Sequence, residues 1–185
     1  GSARRNRHCA ISSGHADAST PFAGGLRVAS LLIDMCNREE ARPVSDLQQV
    51  ECSHDGVVLK GLMAVPQGKG PFPTVLVMHS ALGLRHMVEE KARTLAGLGY
   101  TAIATDMYGV DADIGSPEKA GEHYMALLQD GPKLRERCAL WFDTAASLAP
   151  VDPDNIAAIG FCFGGQCVLE LARSGRDLKA AVSYH

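Results

Sequence analysis

No apolar run in these 185 residues approaches the ~20 needed for a membrane-spanning helix. The six cysteines, Cys9, Cys36, Cys52, Cys138, Cys162 and Cys167, include no Cys-x-x-Cys pair, and their spacing with the histidines fits no structural zinc site. A disulfide frame and a metal centre are therefore not expected, and the thiols read as reduced ones in a cytoplasmic protein. Charge of one sign is scarce as well. With 18 Lys and Arg against 21 Asp and Glu, the formal charge is −3, which gives no electrostatic draw toward nucleic acid or an anionic membrane surface. Internal repeats and low-complexity tracts are missing from Val50 onward.

What is there divides in two. Residues 1–45 begin with Gly1-Ser2, a vector-type scar, followed by Arg4, Arg5 and Arg7 and then a Ser/Gly/Ala-rich run whose one acid is Asp17. Disordered leaders share that texture with organelle transit peptides, so 1–45 is expected to be a leader or disordered extension. Residues 46–185 are expected to form one α/β domain.

In that second part, Gln49–Cys52 and Val57–Val65 read as strands around an Asp55-Gly56 turn, a strong hairpin signal. Thr74–Met78 and Thr101–Thr105 are short, β-branched or small apolar runs suited to strands buried on both faces. Between them Val88, Ala92, Leu95 and Ala96 recur at helical spacing. Ser116-Pro117-Glu118 opens a further helix that ends near Gly131-Pro132, and Leu134, Cys138, Trp141, Phe142, Ala145 and Leu148 mark the next. Asp152-Pro153-Asp154 turns into a strand at Ile156–Gly160, a helix is read from Cys167, and Ala180–Tyr184 is a last strand. Strand alternating with helix predicts a mostly parallel sheet with helices on both faces and an antiparallel hairpin at its N-terminal edge.

The stretch Gly160-Phe161-Cys162-Phe163-Gly164-Gly165 stands between a strand and a helix. That is the context of a nucleophile elbow, with Cys in place of Ser. Gly160 and Gly164 leave room where strand and helix backbones close in, and the helix aims its positive end at the sulfur, which favours thiolate over thiol. In open α/β sheets function collects at the carboxyl ends of the strands. Two other segments end there: His79-Ser80-Ala81-Leu82-Gly83-Leu84 and Asp106-Met107-Tyr108-Gly109. An acyl-transfer site takes one oxyanion donor from the residue after the nucleophile and one from the loop after the earlier strand, which by position are Phe163 and Ala81. His79 either shapes that loop or contacts substrate, and Ser80 is a weaker candidate in the same loop. Asp106 and Tyr108 either line a pocket or close the strand with a capping turn. His54, His86 and His123 fall on a turn and on helix surfaces, where no catalytic role is expected.

Together these three segments resemble the dienelactone hydrolase family, from about Val50 to His185. The resemblance implies an α/β-hydrolase fold and hydrolysis of carboxylic esters or lactones without a cofactor. Its partner would be a small-molecule substrate, the assembly a monomer or homodimer. Cys162 would be the nucleophile, Ala81 and Phe163 the oxyanion donors, and His79, Ser80, Tyr108 and His185 the pocket. Two positions depart from the family pattern: Ser80 stands where many members carry Glu, and Gly109-Val110-Asp111 follows Tyr108 where dienelactone-cleaving members carry Arg.

The fold orders a triad as nucleophile, acid, histidine, and after Cys162 only Asp177 and His185 qualify. The family places both groups on later loops. The expectation is therefore an N-terminal portion of a longer hydrolase, or a truncated product in which Cys162 is a reactive thiol in a non-catalytic module. A glutamine amidotransferase-type enzyme, suggested by Gly164-Gly165-Gln166, is the lesser alternative.

Overall fold

Short runs of small and β-branched residues become the middle of one six-stranded sheet. The computed structural model describes residues 46–184; the expected leader over 1–45 and His185 lie outside them. The strands are β1 (Gln48–His54), β2 (Val57–Ala64), β3 (Phe72–Met78), β4 (Thr101–Thr105), β5 (Val151–Phe161) and β6 (Ala180–Tyr184). They lie in the order β1-β2-β4-β3-β5-β6. The first two pairings, β1 with β2 and β2 with β4, are antiparallel, and β4–β3, β3–β5 and β5–β6 are parallel. Asp55 and Gly56 join the hairpin with φ of 51° and 75°, the two left-handed corners of a type I′ turn.

Four helices connect the parallel strands: α1 (His86–Gly97), α2 (Pro117–Gln129), α3 (Gly131–Ala146) and α4 (Phe163–Arg173). Side chains alternate across the central strands with period two. Val75 and Val77 of β3, Ala102 and Ala104 of β4 and Ile159 of β5 pack with Val88, Ala92 and Leu95 of α1. Leu76, Met78, Ile103, Ile156 and Ala158 face the other way, onto Trp141 and Phe142 of α3 and Phe163, Val168 and Leu171 of α4. Each fully buried Leu or Ile in these layers contributes ~1.5–3 kcal/mol of hydrophobic stabilisation. No helix among the described residues is long and apolar enough to cross a membrane.

One boundary falls where the sequence places it and two differ, each for a local reason. The break near Gly131-Pro132 is made by Asp130, which closes α2 and whose carboxylate accepts from the Lys133 N–H (3.1 Å) to open α3. The elbow strand begins at Val151 rather than Ile156. Val151 stands opposite Phe72 and Ile156 opposite Thr74, so Asp152–Asn155 bulge from the ladder. There the Asp152 carboxylate accepts from the Asp154 N–H (3.1 Å) and the Asn155 side-chain amide (2.7 Å). The last helix starts at Phe163, four residues earlier than expected, and takes Gly164 and Gly165 into its first turn.

The chain leaves β3 toward β4 and leaves β5 toward β6, in opposite directions, so a topological switch point lies between β3 and β5. The first turn of α4 is pressed onto that junction. A Cβ on Gly160 would meet the Gly164 carbonyl oxygen at 2.0 Å, and one on Gly164 would meet the Met78 carbonyl oxygen at 2.3 Å. Backbone on both sides leaves nothing to rotate away. Gly160→Ala should therefore destabilise by about 3 kcal/mol or more, at the upper end of overpacking costs. Gly121→Ala meets nothing within 4 Å in mid-α2 and should stabilise by up to ~1 kcal/mol. Urea unfolding of the two variants checks the contrast.

Candidate active site

β5 and α4 place Cys162 at the sharpest corner of the fold. Its φ of 53° and ψ of −109° match the first corner of a type II′ turn, a conformation that glycine normally occupies. The side chain is exposed. Its backbone is held at both ends: the Cys162 N–H donates to the Tyr184 carbonyl of β6 (2.8 Å), and its carbonyl accepts from the Gly165 N–H (2.9 Å). Phe163 opens α4, so its N–H is among those with no intrahelical acceptor.

Facing the elbow across the switch point is the loop after β3. The Gly83 N–H donates to the Ser80 carbonyl (3.0 Å), and the Leu82 N–H to the Ser80 hydroxyl (3.4 Å). The Ala81 N–H has no hydrogen-bond partner among the described residues, while the Ala81 carbonyl accepts from the Tyr108 hydroxyl (2.9 Å). His79 lies beneath, wholly buried. Its Nε2 accepts from the Met107 N–H (3.0 Å). Because a backbone N–H can only donate, Nδ1 carries the proton of the neutral ring and donates to the Ser80 carbonyl (2.6 Å). Of the two roles read for His79, this geometry supports the shaping of the loop: no ring nitrogen is left for a substrate.

The loop after β4 is braced rather than open. The Asp106 carboxylate accepts from the N–H groups of Lys60 (3.2 Å), Tyr108 (2.9 Å) and Gly109 (3.1 Å), as the capping alternative anticipated. Trp141 Nε1 donates to the Asp106 carbonyl (2.7 Å), and the buried Arg137 guanidinium donates to the Met107 carbonyl (2.5 Å). Tyr108 is 6% exposed; what it presents to the neighbouring loop is its hydroxyl.

An aromatic shelf underlies the elbow. The Phe163 ring stacks on Tyr108 (5.8 Å, 20°) and meets Tyr124 edge-on (5.3 Å), and His123 lies over Tyr108 (5.6 Å). His123 and Tyr124 belong to α2, and sequence reasoning assigned the site nothing from that helix. The signal was present as an aromatic pair in mid-helix, but no spacing rule ties α2 to the elbow. His54 and His86 pair instead with Glu136 (3.2 Å) and Glu90 (3.6 Å). His185 lies outside the described residues, so its expected place in the pocket carries no geometry.

Residues 59–185 match the family model described as the dienelactone hydrolase family. The chain belongs to the dienelactone hydrolase family. Among curated relatives, a protein of Methylorubrum extorquens named "Putative carboxymethylenebutenolidase" is 28% identical over 135 residues, 71% of this chain and 45% of that protein. Among solved structures, one titled "m3DLH" is 37% identical with a TM-score of 0.71, over 76% of this chain and 59% of that one. A dienelactone hydrolase-like promiscuous phosphotriesterase from metagenomic libraries is 35% identical with a TM-score of 0.73, over 77% and 60%. The chain spans about half the length of the curated relatives it matches.

In this dienelactone hydrolase family chain the groups around the elbow are shifted chiefly by burial. Burial pushes the His79 imidazole down, against the opposing Ser80 hydrogen bond and Asp106 charge. Burial pushes the Tyr108 phenol up. Tyr108 therefore stays a hydroxyl donor through neutral pH. Burial and the contact with Cys138 raise the Cys167 thiol, so this cysteine of α4 stays protonated.

Two outcomes follow from this geometry. Replacing Cys162 by Gly rather than Ala removes the same sulfur but relaxes the corner. The strain relief of ~1–3 kcal/mol, less ~0.5–1 kcal/mol of added chain entropy, should leave Cys162→Gly about 1 kcal/mol more stable than Cys162→Ala in urea unfolding. For pH, His79 is depressed in the fold, whereas a histidine in the unfolded chain titrates at its ordinary 6.5. Below that value the unfolded chain takes up a proton that the fold refuses, so stability is full above it and falls as pH drops. Urea midpoints followed downward from neutral pH should decline less steeply in His79→Gln than in the wild type.

Proposed function

We propose that the protein hydrolyses carboxylic esters or lactones through an acyl-enzyme on Cys162. Support comes above all from one observation: an exposed cysteine held in a glycine-type conformation at a helix N-terminus, facing a loop whose Ala81 amide has no partner among the described residues. The sulfur attacks the substrate carbonyl carbon, forming the S–C bond while the carbonyl π pair moves onto oxygen. The Phe163 and Ala81 N–H groups receive that oxyanion. Collapse restores the carbonyl and breaks the C–O bond, and the alkoxide leaves with a proton. Water then attacks the thioester, releasing the acid and the free thiol. Among the described residues no histidine is hydrogen-bonded to Cys162, so we assign the proton transfers to groups outside 46–184.

The likeness to a promiscuous phosphotriesterase adds aryl phosphotriesters as a second substrate class, since attack at phosphorus builds negative charge on the phosphoryl oxygen of a pentacoordinate centre and presents the same demand to two N–H donors. The amidotransferase alternative loses its footing in Gly164-Gly165-Gln166. Gly164 is fixed by its contact with β3, and a Cβ on Gly165 would meet the Ser183 Oγ at 2.1 Å, so packing accounts for both glycines.

With p-nitrophenyl acetate the protein should release a burst of about one equivalent of p-nitrophenolate as Cys162 is acylated. Cys162→Ala should lose the burst, and Cys162→Ser should lower it by orders of magnitude, because an unassisted hydroxyl is a far weaker nucleophile. An unchanged burst in Cys162→Ala would remove the assignment, and acylation without turnover would favour the non-catalytic thiol module.

A further inference from the structure

His79 is wholly buried and bonded at both ring nitrogens, and what it grips decides where a neighbouring group points. The Ser80 carbonyl and the Ala81 N–H belong to one planar trans peptide unit, in which C=O and N–H point in opposite directions. A side chain that pulls the oxygen inward turns the hydrogen outward. From this geometry we propose, on the assignment of the Ala81 N–H as an oxyanion donor, that His79 is a positioning residue for that donor: its Nδ1–H holds the Ser80 oxygen and so aims the Ala81 hydrogen away from the core, toward the elbow.

Five further contacts make this orientation rigid. The Gly83 N–H donates to the same Ser80 oxygen (3.0 Å), fixing it from a second side. The Met107 N–H on Nε2 (3.0 Å) settles the tautomer, so the donor to Ser80 cannot be lost to the other nitrogen. The ring is wedged against Tyr108 (4.7 Å, edge-on) and Phe163 (5.8 Å), the residue that carries the other donor. The Tyr108 hydroxyl holds the Ala81 carbonyl (2.9 Å), which sets the next peptide plane. Both planes flanking Ala81 are thus fixed by side chains from below. Hydrogen bonding at the Ser80 oxygen also polarises the amide, which strengthens its N–H as a donor by roughly 10–30% on condensed-phase estimates of cooperativity.

The test separates a reaction that develops an oxyanion from one that does not. Acylation by p-nitrophenyl acetate builds charge on oxygen; alkylation of the same sulfur by iodoacetamide displaces iodide at a saturated carbon and builds none there. Asn places a donor near the position of Nδ1, whereas Gln places its polar group near that of Nε2. His79→Gln should slow acylation about 100-fold, the scale of losing one oxyanion donor, with alkylation within twofold of wild type. His79→Asn should recover most of the acylation rate. Tyr108→Phe, which keeps the ring and removes only the hydroxyl, should slow acylation about 10-fold with alkylation unchanged. Wild-type acylation in His79→Gln would overturn the proposal and leave Cys162 as nucleophile, and so would a parallel loss of acylation and alkylation, which marks a disturbed elbow. Acylation that persists in Cys162→Ala would overturn the nucleophile assignment itself, and the positioning role with it.

Discussion

The contact on which the site depends is the one between bare backbone on α4 and bare backbone at the ends of β5 and β3. Gly160 lies against Gly164, and Gly164 against Met78 and His79, with no side chain between. That approach drives α4 into the switch point of the sheet and turns the chain so sharply that Cys162 takes a positive φ. Everything chemical about the elbow follows from the turn: an exposed sulfur, a helix N-terminus beside it and a neighbouring loop within reach.

Around this contact the loops divide the work. The loop after β3 offers backbone to the elbow. The loop after β4 offers braces to that backbone: the Tyr108 hydroxyl and the Met107 N–H reach across, while Asp106, Trp141 and Arg137 hold the loop in turn. Burial keeps the braces in a single protonation state, with the imidazole neutral and the phenol protonated. The proposed oxyanion site needs such constancy, because a brace that gained or lost a proton near neutral pH would let the amide swing.

Much of this was legible in the residues, and what was not has physical causes. Unbroken β-branched or small apolar runs in Thr74–Met78 and Thr101–Thr105 marked strands covered on both faces, because a buried parallel strand has no polar side to show. Gly160 and Gly164 announced a close approach because no other residue type tolerates one. The bulge at Asp152–Asn155 was read as a turn ahead of the strand. Local side-chain hydrogen bonding by Asp152 is the same in both settings, and only the partner strand distinguishes them. His79 read equally well as a loop brace or a substrate contact, since one-dimensional spacing says nothing about which way a ring faces. The shelf formed by His123 and Tyr124 was missed because helical periodicity reports that α2 has a core face and not which neighbour that face meets.

The hydrogen bond from the Cys162 N–H to the Tyr184 carbonyl gives the elbow a dependence in time as well as in space. The motif Gly-Phe-Cys-Phe-Gly-Gly is complete in the chain at residue 165, but the strand that secures the cysteine's own amide begins at Ala180. During synthesis the cysteine is therefore made before the turn that presents it can be fastened. The chain must emerge some twenty residues further and seat β6 beside β5 before the Cys162 amide finds its acceptor. The last described strand thus acts as a latch on the turn, closing it only once the sheet beneath it is built.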